Sequence, residues 1–130
     1  MILLVLSFLV LGLLVYRFWK PIAMPPKRDV KPNEANLYFF YTNWCGFSQK
    51  AMPEWEALET KELFFGKTHV HPVAVNCETD RATCSLYGID GYPSVLLETK
   101  SGLSQLDTRV TTSNMVSFLE RTLGKERQDL

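Results

Sequence analysis

Residues 43 to 48 read Asn-Trp-Cys-Gly-Phe-Ser. Cys45 is a sulfur nucleophile set just ahead of a stretch with helical spacing. A thiol at such a junction meets backbone N–H groups that lack helical partners and the positive end of the helix dipole. Both stabilise thiolate over thiol, so Cys45 should be more acidic than a free cysteine. Three residues on, where a second thiol would complete a redox pair, stands Ser48. A hydroxyl cannot attack a mixed disulfide to make a new disulfide. The stretch can therefore capture a partner sulfur but cannot release it unaided. Trp44 is placed to shield one side of the sulfur, and Gly46 leaves room for another backbone to approach.

The elements that must position Cys45 alternate between strand and helix. Residues 37–41 (LYFFY) form a wholly apolar run, as a strand covered on both faces does. Met52, Trp55, Leu58 and Leu63 recur at helical spacing and predict a helix from residue 47 to about residue 65, with Pro53 as a kink inside it. Residues 70–75 predict a second strand. Residues 80–87 predict a short helix ended by Gly88, residues 95–98 and 103–107 flank a Lys-Ser-Gly turn as a hairpin, and residues 112–123 form a last helix stopped by Gly124. The order βαβαββα predicts an α/β sandwich with a central mixed β-sheet.

A strand followed by Trp-Cys-Gly and a helix, a proline eight residues after the cysteine (Pro53), and the run Tyr87-Gly88-Ile89-Asp90-Gly91-Tyr92-Pro93-Ser94 together resemble the thioredoxin superfamily, and within it the protein-disulfide-isomerase domains. The resemblance spans residues 37–124 and implies a thioredoxin-like three-layer sandwich. It also implies a cis Tyr92–Pro93 peptide facing Cys45, whose backbone pairs with a bound substrate strand; a trans turn is the alternative. Trp44, Gly46, Phe47, Tyr92 and Pro93 would then bind substrate, and Cys45 with Ser48 would form the catalytic pair. In two-cysteine members, by the same resemblance, a buried carboxylate six residues before the first cysteine and a lysine on the next strand move protons for the second cysteine. Phe39 and Ala74 stand at those positions here. The resolving step has lost its proton relay along with its nucleophile, and Ser48 keeps only a hydrogen bond to offer the Cys45 thiolate. Some disulfide-isomerase domains also resemble this chain in carrying a structural disulfide at the spacing of Cys77 and Cys84. Two free thiols are the alternative. The spacing of Cys77 and Cys84 is not that of a metal site, and His69 and His71 read as surface or strand-edge residues.

The 130-residue chain is 46 % hydrophobic and 22 % charged with a formal net charge of +0, which fits one domain of modest size and gives nucleic acid no electrostatic hold. Much of the apolar content lies in residues 1–16 (MILLVLSFLVLGLLVY), which carry no charge. A core helix would show polar residues at helical spacing, and a cleaved signal would show a basic start and a small-residue site. A single-pass transmembrane anchor over residues 1–20 fits better than either, with Tyr16, Phe18 and Trp19 as an interfacial belt and Arg17 and Lys20 reaching the headgroups. Residues 21–36, rich in proline and basic side chains, read as a stiff linker, residues 37–124 as the domain, and residues 125–130 as a tail. Glu54, Glu56, Glu59, Lys61 and Glu62 read as the solvated face of the long helix.

A Cys77–Cys84 bridge implies an oxidising space such as the endoplasmic-reticulum lumen. Arg17, Lys20, Lys27, Arg28 and Lys31 follow the apolar run and imply instead a domain on the cytoplasmic side. The lumen is favoured, with a cytoplasmic or viral-membrane face as the alternative. The expectation is thus a membrane-tethered protein, a monothiol disulfide isomerase or a client trap, that forms mixed disulfides with client proteins through Cys45. The client's second thiol, glutathione or a dithiol partner would release them. No metal and no cofactor are expected. The alternative, from a different class, is a redox-inactive module that holds extended peptides on the Tyr92–Pro93 face.

Overall fold

The structure, a computed structural model, describes residues 1–18 and 29–127. Along the chain run α1 (Ile2–Phe18), β1 (Glu34–Tyr41), α2 (Gly46–Glu59), β2 (Leu63–Phe65), β3 (Thr68–Asn76), α3 (Arg81–Leu86), β4 (Ser94–Thr99), β5 (Gly102–Gln105) and α4 (Thr112–Leu123). The strands form one sheet in the order β2, β3, β1, β4, β5. β1 is parallel to β3, and the other neighbours are antiparallel.

β1 takes the centre because it is apolar on both faces. Side chains alternate along a strand, so Ala35, Leu37 and Phe39 pack against Trp55 and Leu58 of α2 and Met115, Phe118 and Leu119 of α4. Tyr38 and Phe40 face the other way, onto Val75, Leu96, Tyr87 and the Cys77–Cys84 disulfide beside α3. Helices therefore cover both faces of a mixed sheet, the α/β arrangement the element order predicts. On the α3 side Glu98 is buried, and it accepts hydrogen bonds from the hydroxyls of Tyr38 (3.0 Å) and Tyr87 (3.3 Å) and from Asn36 Nδ2 (3.4 Å). A buried carboxylate needs such donors. Burial, the Tyr87 hydrogen bond and the Glu98 charge together push the Tyr38 hydroxyl well above the ordinary tyrosine range.

β1 begins at Glu34, three residues before the expected start, β5 ends at Gln105 rather than residue 107, and two larger differences concern α2 and the N-terminus. The long helix stops at Glu59 rather than near residue 65, because Leu63–Phe65 instead forms an edge strand antiparallel to Thr68, His69 and Val70. The β2–β3 turn lies against the end of α4. Gly66 makes this approach at φ +59°, where a Cβ would stand 2.5 Å from the Leu123 carbonyl oxygen. Pro53 lies inside α2, which buries Ser48, Ala51, Trp55 and Leu58 at helical spacing. Trp55 stacks on Phe39 at 5.1 Å and is fully buried. Truncating a side chain of that kind costs about 3–5 kcal/mol.

The second difference concerns the N-terminus. α1 has 17 residues, about 26 Å at 1.5 Å per residue, against a hydrocarbon core of about 30 Å. Among the described residues no helix is long and apolar enough to cross a membrane. The membrane-crossing helix expected over residues 1–20 is therefore not found among the described residues; Trp19, Lys20 and residues 21–28, half of the expected linker, lie outside them, and Glu34, Ala35 and Asn36 at the other end of that linker belong to β1. The side chains of α1 up to Tyr16 are exposed all round.

Glu54 ties α2 to α4. Its carboxylate accepts from Thr112 Oγ1 at 2.7 Å and from the Thr112 N–H at 2.8 Å, and the Thr112 hydroxyl also reaches the Glu54 carbonyl at 3.0 Å. Thr111 caps the same helix end through its hydroxyl and the Asn114 N–H. The Thr112 hydroxyl and then its N–H hold the Glu54 carboxyl below its ordinary value. Its contribution to stability is therefore complete above the unfolded value of about 4.3 and is lost as pH falls through the lower folded value. Glu54→Gln should lower stability in urea titrations at neutral pH, with the gap to the unsubstituted protein closing in acid. A gap independent of pH would contradict the assignment.

Candidate functional site

After Tyr41 a turn at Asn43 and Trp44 brings Cys45 to the N-cap of α2 with extended backbone (φ −82°, ψ 119°). The Cys45 carbonyl accepts the first helical hydrogen bond from the Gln49 N–H at 3.0 Å, and Gln49 Nε2 donates back to the Asn43 carbonyl at 2.7 Å. The Asn43 N–H donates to the Glu78 carboxylate at 2.9 Å. Glu78 belongs to the loop closed by the Cys77–Cys84 disulfide, whose Cα atoms are 5.8 Å apart. Closing so short a loop contributes about 2.5 kcal/mol in the chain-entropy model. The bridge thus holds the loop that holds the turn carrying Cys45.

Cys45 is half-buried and is the free cysteine of the chain. Its sulfur makes no capping hydrogen bond and instead donates to the Tyr92 carbonyl at 3.7 Å. The Tyr92–Pro93 peptide is cis. The thiol is nevertheless held below its ordinary value: the Ser48 backbone N–H is the main cause, burial opposes it, and the Phe47 N–H and the Ser48 hydroxyl add to it. Loss of the proton exchanges one weak S–H···O contact for donors that favour the anion.

Ser48 is 1 % exposed, and its Oγ accepts from the Thr42 N–H at 3.3 Å. A hydroxyl has one hydrogen to give and two lone pairs, so with Thr42 on the oxygen its own hydrogen is free for the sulfur. The Thr42 hydroxyl is buried without a partner among the described residues. Phe39 lies in the apolar cluster against Trp55, and Ala74, its register partner on β3, is exposed. Neither side chain can accept a proton.

Around the sulfur, Trp44 and Phe47 are 68 % and 74 % exposed, and Trp44 leans edge-on against Tyr92 with ring centroids 6.1 Å apart. Beside them opens a groove of about 560 Å³. Phe47, Lys50, Ala51 and Glu54 form one wall as a single face of α2, Tyr92–Pro93 forms another side, and residues 108–111 close it. Sequence reasoning brought Cys45, Ser48, Trp44, Gly46, Phe47, Tyr92 and Pro93 to one site. It missed Lys50 and residues 108–111, and it assigned Glu54 to a solvated face. The Glu54–Thr112 contact spans 58 residues, and no local pattern signals it. His69 stacks on Phe64 at 4.4 Å and lies 4.3 Å from His71, away from this site. Among the described residues no three His, Cys, Asp or Glu side chains are grouped to hold a metal ion.

Residues 27–121 match the thioredoxin family model. The chain belongs to the thioredoxin family. Among its thioredoxin relatives are the protein disulfide isomerase-like 2-2 of Oryza sativa subsp. japonica, 32 % identical over 74 residues that cover 53 % of this chain and 18 % of that protein, and the protein disulfide-isomerase A3 of Gallus gallus, 32 % identical over 89 residues that cover 68 % and 17 %. The chain thus spans less than a fifth of the length of these relatives. Among solved thioredoxin folds, the Trx4 domain of ERdj5 superposes with a TM-score of 0.56 at 25 % identity, covering 72 % of this chain and 83 % of that domain. A thioredoxin domain with disulfide-isomerase relatives points to thiol-disulfide exchange as the chemistry of the site.

The rate of Cys45 alkylation by iodoacetamide should rise with pH through an inflection below the free-thiol value of about 8.5. Ser48→Ala should move that inflection upward but not the whole way, since the Ser48 backbone N–H remains. An inflection at or above the free-thiol value in the unsubstituted protein would contradict the thiolate-stabilising geometry.

Proposed function

We propose that the chain is a membrane-tethered thioredoxin-family protein that exchanges disulfides with client proteins through one thiol. The observation that carries this reading is the pairing of a free, acidified Cys45 with a buried Ser48, while Cys77 and Cys84 are bonded to each other and buried. In the first step the Cys45 thiolate attacks one sulfur of a client disulfide, forms a new S–S bond, and expels the other client sulfur as a thiolate. In the second step a different thiol of the client attacks the Cys45-linked client sulfur, freeing the Cys45 thiolate and leaving a rearranged client disulfide, or an external thiol such as glutathione attacks it and leaves the client as a mixed disulfide with that thiol; return of the expelled thiolate restores the starting disulfide. Electrons are conserved within the pair of disulfides, so the cycle isomerises or retains clients. It does not oxidise dithiols.

Cys45 and Ser48 are the reacting and anion-supporting groups of this cycle. Trp44, Gly46, Phe47, Tyr92 and Pro93 are its client-facing surface. The tether is α1, an uncharged run up to Arg17 with apolar side chains exposed on every side, which only a lipid or protein environment would cover. The Cys77–Cys84 bridge suits an oxidising compartment, the endoplasmic-reticulum lumen among them.

Ser48→Cys places a second thiol one helical turn from Cys45 and should reduce the steady-state amount of Cys45-linked species on non-reducing gels, while raising insulin reduction. Phe39 and Ala74 still offer no proton relay, so the gain should stay below that of a fully equipped dithiol enzyme. Cys45→Ser should abolish the linked species. If neither substitution changes gel or assay, exchange is the wrong function and a non-catalytic peptide-binding module replaces it. For the tether, alkaline carbonate washing should leave the full chain in the membrane pellet, and its release into the supernatant would count against an embedded α1.

A further inference from the structure

The groove beside Cys45 has a charge pattern that the exchange chemistry does not require. Lys50 on the α2 wall and Arg109 on the opposite wall are both exposed, and neither makes an ion pair among the described residues. Glu54, the carboxylate of the groove, is held at the N-terminus of α4 by both hydrogen bonds from Thr112 and keeps its charge there, so the groove carries two cations against one anion. Two cations without ion-pair partners among the described residues therefore face a space whose other lining is apolar at Phe47, Ala51, Pro93 and Val110 and polar at Thr108 and Thr111.

We propose that Lys50 and Arg109 select clients in which carboxylates flank the attacked cysteine, so that the preferred partner is an acidic peptide segment. The inference rests on the single-thiol exchange proposed for Cys45 and adds to it a class of substrate. Length favours a peptide. From Phe47 to Glu54 the α2 wall rises about 10 Å, which matches about three residues of extended chain at roughly 3.3 Å each. The client sulfur sits at the Cys45 end, against the Tyr92 carbonyl. The next residues run along α2, apolar groups meeting Phe47 and Ala51, and a carboxylate reaches Lys50 on one side or Arg109 on the other. Because both cations are exposed, each contributes modestly, and the preference weakens as salt screens it.

The test measures second-order rates of mixed-disulfide formation on the full chain in detergent micelles. The probes are short peptides whose single cysteine is activated as a thiopyridyl disulfide and flanked by Asp/Glu, by Ala or by Lys. The acidic peptide should react about threefold to tenfold faster than the alanine peptide at low salt. Lys50→Glu and Arg109→Glu should each remove about threefold of that advantage, and the double substitution should reverse it in favour of the lysine peptide. Lys61→Glu, beyond the far end of α2, should change nothing. Equal rates for all three peptides on the unsubstituted chain would overturn the proposal while leaving single-thiol exchange intact. No reaction at Cys45 with any probe would overturn the exchange reading itself. If glutathione disulfide shows the charge dependence and the acidic peptide does not, the site selects a small anionic thiol, and the peptide assignment is wrong.

Discussion

The backbone amides of Phe47 and Ser48, left without helical partners at the start of α2, face the sulfur of Cys45 and stabilise its thiolate. Most of the surrounding architecture keeps that junction in place. β1 is buried on both faces, so its end is a fixed point from which the turn at Asn43 and Trp44 departs. Trp55 and Leu58 bind α2 to the sheet, and Glu54 binds it to α4. On the other face the Cys77–Cys84 bridge holds Glu78 against the Asn43 N–H. A shift in any of these would move the sulfur relative to the Tyr92 carbonyl, and exchange reactions are sensitive to such placement because attack requires the reacting sulfurs in line.

Ser48 makes the site asymmetric between capture and release. It is as buried as a core residue, its oxygen is engaged by the Thr42 N–H, and its remaining hydrogen can support the Cys45 anion. In the proposed function the position that would resolve a mixed disulfide with a thiol instead steadies the nucleophile. Phe39 stacked on Trp55 completes the change, since the space between β1 and α2 is apolar and offers no group to accept a proton. In the proposed function the lifetime of the mixed disulfide is set by thiols outside the motif.

Much of this was legible in the sequence wherever a short stretch carries its own chemistry. Cys45 before a helix, Ser48 three residues on and Tyr92-Pro93 before a strand are local features. α4 was readable to its ends, because its apolar spacing runs from Met115 to Leu119 and Gly124 stops it at φ +108°. β2 was not readable: Leu63 continues the helical spacing of Trp55 and Leu58, and only pairing with Thr68, His69 and Val70 makes its segment a strand. The groove was hidden for a similar reason. Its far wall at residues 108–111 is irregular chain, brought to α2 by a contact between Glu54 and Thr112, and Lys50 and Arg109 look like ordinary surface cations until that contact sets them along one groove.

In the proposed function one thiol reacts and nothing within the chain resolves it. The direct measurement is the stoichiometry of the reduced-at-Cys45 full chain with excess 4,4′-dithiodipyridine, read as thiopyridone released and as intact mass. Single-thiol chemistry predicts one thiopyridone per chain and a stable protein heavier by one thiopyridyl group on Cys45, with the Cys77–Cys84 bridge unchanged. Release of a second thiopyridone with no mass retained would mean that another sulfur in the chain resolves the mixed disulfide, and the account would be wrong.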